Sequence, residues 1–242
     1  MNNFDSEKKF SEHYNLILEK IAETAEKCNR NPNEIKVLAV SKTHTSDVII
    51  QAIQAGIPIF AENYAQEFRD KNKELMNFYE SQNLEIPKFE WHFIGHLQAN
   101  KVKYLVPFVT TIHTVDSMNL ANEINKYAEK NSKIIDVLIQ VNTSNEASKS
   151  GVEPEDSISI VKNILSLKNI NLIGLMTIGT FSEDEKIIRK EFTVLRNCLD
   201  EINFQNGLSL KELSMGMSHD FEIAIEEKAT MLRIGTAIFG ER

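Results

Sequence analysis

Lys42 stands directly after an apolar, β-rich run, Ile35-Lys36-Val37-Leu38-Ala39-Val40-Ser41. A lysine at the end of a buried strand keeps its amine partly out of water. Desolvation disfavours the ammonium form, and a neutral amine adds readily to an aldehyde. The same residues also read as a solvated lysine opening a loop, and the local sequence leaves both readings open. Far along the chain, Met215-Gly216-Met217-Ser218 closes a strand and opens a helix. The Ser218 hydroxyl can cap that helix, or it can bond a phosphate held on the helix's free N–H groups. Asp220 in the first turn already serves the helix dipole, which weighs against an anion there. Gly235-Thr236 follows a last strand and offers amides that a ligand can approach closely, because glycine has no Cβ. A plain cap and a tight turn account for the same residues without a ligand. Arg233 lies two residues before Gly235 and so shares its strand face. A buried arginine needs a partner, either a carboxylate of the protein or an acceptor atom on a ligand.

Other residues carry less. His92 and His96 are four apart, but Gly95 and a strand-to-loop change lie between them, unlike the helical HExxH arrangement of a zinc site. No metal is expected. The stretch 145–151, NEASKSG, lacks the order of a nucleotide P-loop. The charge run 183–189 reads as a solvated helix face.

These residues need elements to place them. Phe10, Tyr14, Leu16, Ile17, Ile21 and Ala25 recur at helical spacing and predict an opening helix over about 6–28, stopped by Asn31-Pro32. From there strands and helices alternate. Strands are expected at 35–41, 58–61, 90–94, 111–115, 134–141, 172–177, 211–215 and 231–234. The helices between them fall at 46–55, 63–79, 99–105, 118–129, 154–167, 183–202 and 221–228, the first capped by Ser46 and closed by Gly56. Eight such strands predict a parallel α/β sheet, and eight is the number that closes a barrel. The pattern alone leaves a doubly wound open sheet as the alternative. Chemistry in a barrel sits where strands pass into βα-loops. Besides Lys42, those positions hold Glu62-Asn63, His92, Gly95-His96, Asp116, Asn142 and Met176-Thr177.

The composition agrees with one domain spanning 1–242. The chain has 242 residues, 42% hydrophobic and 26% charged, enough for a single large core. A net charge of −8 without a Lys/Arg block gives no footprint for nucleic acid. The polar N-terminus carries no secretory signal, no apolar stretch is long enough to span a membrane, and Cys28 and Cys198 form no CxxC pair. A reducing, cytoplasmic setting is expected.

Seven segments then resemble a known family in family order: LAVSKT (38–43), FAENYAQE (60–67), WHFIGHLQANK (91–101), VLIQVNTSNEASKSGV (137–152), GLMTIG (174–179), LSMGMSHD (213–220) and RIGTAIFGER (233–242). The sequence resembles the pyridoxal-phosphate homeostasis proteins, which are similar to the N-terminal barrel of alanine racemase. The resemblance implies a (β/α)8 barrel with an additional N-terminal helix and pyridoxal 5′-phosphate (PLP) bound as a Schiff base on Lys42. It implies a phosphate clamp of Ser218 with the backbone of Gly235 and Thr236. It also implies that Arg233 faces the pyridine nitrogen and that Asn63 and Met176 lie near the cofactor. Thr43-His44-Thr45 and His96 depart from the family pattern beside the site.

An arginine facing that nitrogen donates a hydrogen bond and keeps it unprotonated, because arginine has no acceptor. The ring is then a weak electron sink. In alanine racemase the second acid/base group is a tyrosine on an extra C-terminal domain of the partner subunit, for which a chain ending at Arg242 leaves no room. The resemblance therefore implies a non-catalytic carrier of PLP, monomeric, serving PLP-requiring apoenzymes. The runner-up is an amino-acid racemase using Tyr64, Tyr104 or His92 opposite Lys42. A Schiff-base aldolase is more distant.

Overall fold

The computed structural model describes residues 3–144, 146 and 150–240. Residues 145 and 147–149 of the stretch weighed as a P-loop lie outside the described residues, as do 241 and 242 of the last family segment.

Eight strands close into one parallel barrel in chain order: β1 (Lys36–Val40), β2 (Ile59–Glu62), β3 (Glu90–Phe93), β4 (Thr111–Val115), β5 (Ile135–Gln140), β6 (Ile170–Met176), β7 (Glu212–Met217) and β8 (Met231–Ile234). The ring closes where β1 pairs with β8, with Leu38 opposite Arg233. The open-sheet alternative is excluded. Helices α2 (Ser46–Gln54), α3 (Ala65–Ser81), α4 (Val102–Leu105), α5 (Met118–Lys130), α6 (Ser157–Ile164), α7 (Glu185–Asn206) and α8 (Phe221–Glu226) form the crossovers. The N-terminal helix α1 (Asn3–Lys27) packs on α2, α8 and a short last helix, α9 (Thr236–Phe239). Phe10, Ile17, Ile21 and Ala25 of α1 are buried, but Leu16 is exposed because it falls one position off that stripe.

Two apolar clusters follow from strand alternation. One fills the space between strands and helices, with Val37, Ala39, Phe60, Trp91, Phe93, Leu213 and Met215 among its members. The other sits inside the barrel: Leu38, Val40, Ile59, Ala61, Ile94, Leu138, Met176 and Met231. Continuous apolar strands are what a sheet covered on both faces requires.

Several expected boundaries move. Ser46 is the first residue of α2 and not its cap; Thr45 holds the cap position, and the Ser46 hydroxyl donates instead to Glu74 on α3. Asn63 precedes α3, which begins at Ala65. The segments beginning at Ala99 and Pro154 open with a 3-10 turn before their helices. Strand β7 runs on to Met217, because Gly216 takes a left-handed φ of 93° inside a shift of register against β8. The four-residue helix α9 is an element the pattern did not reveal.

Candidate functional site

The two-residue period carries the site. Leu38 and Val40 face the barrel interior, so Lys42 continues that face beyond the end of β1. Ala61 does the same for Asn63 beyond β2, and within β8 Arg233 shares the inward face of Met231. These side chains meet at one cavity of about 550 Å3 at the C-terminal ends of the strands, lined by Lys42, Asn63, Ser218, Arg233, Gly235 and Thr236. That volume suits a small cofactor. Six of the seven expected residues therefore share one cavity. Met176 does not line it; it is fully buried in the inner cluster below.

The loop that carries Lys42 is held from behind. Ser41, on the opposite strand face, is buried and donates to Glu62 Oε1 at 2.7 Å. Lys71 of α3 reaches the same oxygen at 2.7 Å and caps the Ser41 carbonyl at 2.9 Å. Thr43 has a left-handed φ of 68°, and its N–H donates to Glu67 Oε1 at 2.7 Å. Burial pushes the Glu62 carboxyl above the ordinary carboxylate value, against the pull of Lys71. On the far side Gly95 lies against Asn63. A Cβ there would stand 1.9 Å from the Asn63 carbonyl oxygen, so only glycine allows the two loops to meet.

Arg233 is buried and has no carboxylate on its guanidinium. Its N–H groups donate to Ser214 Oγ at 3.0 Å and to the Thr177 carbonyl at 2.9 Å. Burial lowers its pKa to about 10, with nearby Asp220 opposing the shift, so it stays protonated at neutral pH.

At the same end of the barrel Ser218 follows β7. It does not cap α8: Asp220 occupies that position, and the Asp220 carboxylate accepts from the Met217 N–H at 2.5 Å. The bend instead brings Met217, Ser218 and His219 to the cavity wall, with the Phe181 ring tilted against His219 at 5.0 Å between centroids. His44, His219, Ile178 and Phe181 also line the cavity; His44 stood out in the sequence only as a departure from the family pattern beside the site, and the other three were not singled out. They lie in loops beyond the strand ends, where alternation no longer reports direction. Tyr64, Tyr104 and His92 do not line it. No group of three or more His, Cys, Asp or Glu that could hold a metal occurs among the described residues. His96 instead sits 3.8 Å from Asp116.

Comparison with known proteins bears on this arrangement. Residues 16–242 match the family described as alanine racemase, N-terminal domain. A protein of Aquifex aeolicus named pyridoxal phosphate homeostasis protein is 45% identical over 96% of this chain and 97% of its own. The chain belongs to the pyridoxal phosphate homeostasis protein family. This family member also matches the structure of PipY from Synechococcus elongatus PCC7942, described as having PLP bound. The two are 32% identical with a TM-score of 0.78, over 91% of this chain and 100% of that one. An alanine racemase of Clostridium difficile 630 shares the fold at 15% identity and a TM-score of 0.67, over 93% of this chain and 56% of the racemase.

Proposed function

We propose that this pyridoxal phosphate homeostasis family member binds PLP at the barrel mouth, held as a Schiff base on Lys42, and carries it without significant turnover. The observation that supports this reading is the one cavity shared by an amine, a buried arginine, Ser218 and the Gly235-Thr236 segment. The residues present fit the cofactor. Asn63 lines the cavity and its buried Oδ1 has no hydrogen-bond partner, which a bound polar group would relieve. Lys42 and Arg233 supply positive charge for an anionic ligand.

When bound, the cofactor supplies an aldehyde carbon and an electron-accepting ring. Lys42 would hold that carbon covalently, with water released. Ser218 and the amides of Gly235 and Thr236 would hold the phosphate. Asn63 would bond a polar group on the cofactor, and Met176 would support the floor from the layer below. Arg233 would donate to the ring nitrogen and retain its own proton, so the nitrogen stays unprotonated and the ring withdraws electrons weakly. That favours holding over carbanion chemistry. The groups expected to serve the racemase alternative, Tyr64, Tyr104 and His92, all lie off the cavity wall. The partners in this reading are PLP and PLP-requiring apoenzymes, and the protein works as a cytoplasmic monomer. No helix among the described residues is long and apolar enough to cross a membrane.

The test is a visible spectrum of the purified protein after addition of PLP, followed by borohydride reduction and peptide mass analysis. A new visible absorption band and a reduced adduct on Lys42 are expected, both lost in Lys42→Ala. Exchange of the alanine α-proton in deuterated water that depends on Lys42 would overturn the carrier reading in favour of the racemase.

A further inference from the structure

We infer that His113 and His92 are positioning residues for Arg233, joined to it through Ser214 as a one-way hydrogen-bond relay across the barrel interior. Arg233 Nη1 donates to Ser214 Oγ at 3.0 Å. Ser214 Oγ stands 2.9 Å from His113 Nδ1. His113 Nε2 stands 2.8 Å from His92 Nδ1. His92 Nε2 stands 3.3 Å from Glu90 Oε2, at the start of β3 and so at the opposite rim of the barrel. Ser214, His113, His92 and Arg233 are all buried, while half of the Glu90 side chain is exposed.

The two ends fix the direction of every proton between them. Arginine can only donate, and a carboxylate can only accept. Ser214 therefore accepts from Arg233 and turns its single proton to His113 Nδ1. His113 must then carry its proton on Nε2 and give it to His92 Nδ1. His92 carries its proton on Nε2 and gives it to Glu90. Both imidazoles are neutral and both are the Nε2–H tautomer. Burial pushes both histidines below their ordinary value, His113 well below it, and the charge of Arg233 adds to the effect on His113. A protonated His113 would aim an N–H at Ser214, leaving the Ser214 hydroxyl without its acceptor and two cations side by side.

The consequence is orientation. Arg233 is held by two acceptors, Ser214 Oγ and the Thr177 carbonyl. Only the first can rotate away. His113 stops that rotation, and His92 and Glu90 fix the tautomer of His113. What this means for the cofactor rests on the proposal that Arg233 faces the ring nitrogen.

The experiment has two arms. In cofactor-free protein, nitrogen-15 NMR of the histidines is expected to show Nε2–H tautomers for both His92 and His113 at pH 7.5, with resolved Arg233 Nη signals that broaden in Ser214→Ala. An Nδ1–H or charged form of either ring overturns the relay. In the second arm PLP is titrated into wild type, Ser214→Ala, His113→Leu and His113→Asn. The first two variants are expected to raise the Kd about tenfold and to shift the absorption maximum, whereas His113→Asn, which keeps an acceptor for Ser214, recovers most of the affinity. Ser214→Ala removes one small side-chain atom and keeps the test alive where His113→Leu fails to fold. A Kd within about twofold of wild type in Ser214→Ala overturns the positioning role. If wild type itself takes up no PLP, the carrier reading falls, and the tautomers alone decide the relay.

Discussion

Replacing Lys71 by methionine removes the cation behind the Lys42 loop while keeping most of the stem. In the wild type Lys71 Nζ lies 2.7 Å from Glu62 and 2.5 Å from Glu67, with side-chain exposures of 7% for Lys71 and 0% for Glu62. Glu62 is the more vulnerable of the two: its Oε2 already has no partner, and burial holds its carboxyl above the ordinary value. Without Lys71 only the Ser41 hydroxyl still favours the carboxylate. Breaking a buried pair by deleting one partner costs about 3–5 kcal/mol. Glu62 limits that loss by taking up a proton.

The sign with pH follows. A carboxyl whose folded pKa is raised contributes its stability fully below its unfolded value and loses it as pH rises through the folded value. Lys71→Met pushes Glu62 further up. The deficit should therefore be smallest in acid and grow by up to about 1.4 kcal/mol per pH unit across that window. Urea unfolding followed by circular dichroism at pH 5, 6 and 7.5 measures it. Glu62→Gln with Lys71→Met should recover part of the loss, since no charge is left buried. A deficit under about 1 kcal/mol that is the same at every pH would refute the reasoning, because the pair would then be solvated.

Gly95→Ala should lower stability by more than about 2 kcal/mol in the same assay, because its Cβ would enter the Asn63 backbone. Gly235→Ala should behave differently: a Cβ there meets the Val40 carbonyl at 3.4 Å, an ordinary contact, so stability should hold within about 1 kcal/mol while the Kd for PLP rises about tenfold. Equal destabilisation by both changes would show that Gly235 serves packing and not a ligand. His92 and His113 are buried neutral with lowered pKa, so the folded state binds fewer protons than the unfolded one below pH 6.5. Stability should fall with decreasing pH in that range by up to about 1.4 kcal/mol per unit for each ring. His113→Asn should remove one share of that slope, and an unchanged slope would count against the assignment.

Lys42 and Asn63 were legible as residues at strand ends and Arg233 by its face on the last strand; the two-residue period carries the first two one step beyond β1 and β2 and turns Arg233 inward within β8. Met176 was placed by resemblance, yet its strand ends on it, so its side chain packs with Leu38 and Leu138 under the cavity and not along its wall. Ser218 read as a helix cap because β7 was expected to stop at Met215. The left-handed Gly216 lets the strand continue and shifts the turn by two residues. The supporting groups were illegible for a different reason. His113 and Ser214 sit in the middle of apolar strands, and they are 101 positions apart in the chain. Only barrel closure makes them neighbours. Glu62 and Lys71 are nine apart across a loop, a spacing that no helix or strand period marks.

The barrel interior holds an apolar cluster and a polar file, and their pairing bears on what the fold is for. The apolar cluster draws on β1, β2, β5, β6 and β8, with Ile94 just beyond β3. The polar file crosses the interior from β3 and β4 to β7 and β8 as His92, His113, Ser214 and Arg233. A barrel interior is ordinarily filled by branched apolar side chains. Replacing buried polar groups by apolar ones of like volume is often neutral or stabilising. Packing therefore gives no reason to keep four polar residues there, one of them charged. Their value must lie in direction. An apolar neighbour can exclude water from a guanidinium but cannot tell it which way to point, whereas an acceptor whose own proton is committed elsewhere can. The apolar cluster sets the depth at which Lys42 and Asn63 emerge, and the polar file sets the orientation of the buried cation that must meet them.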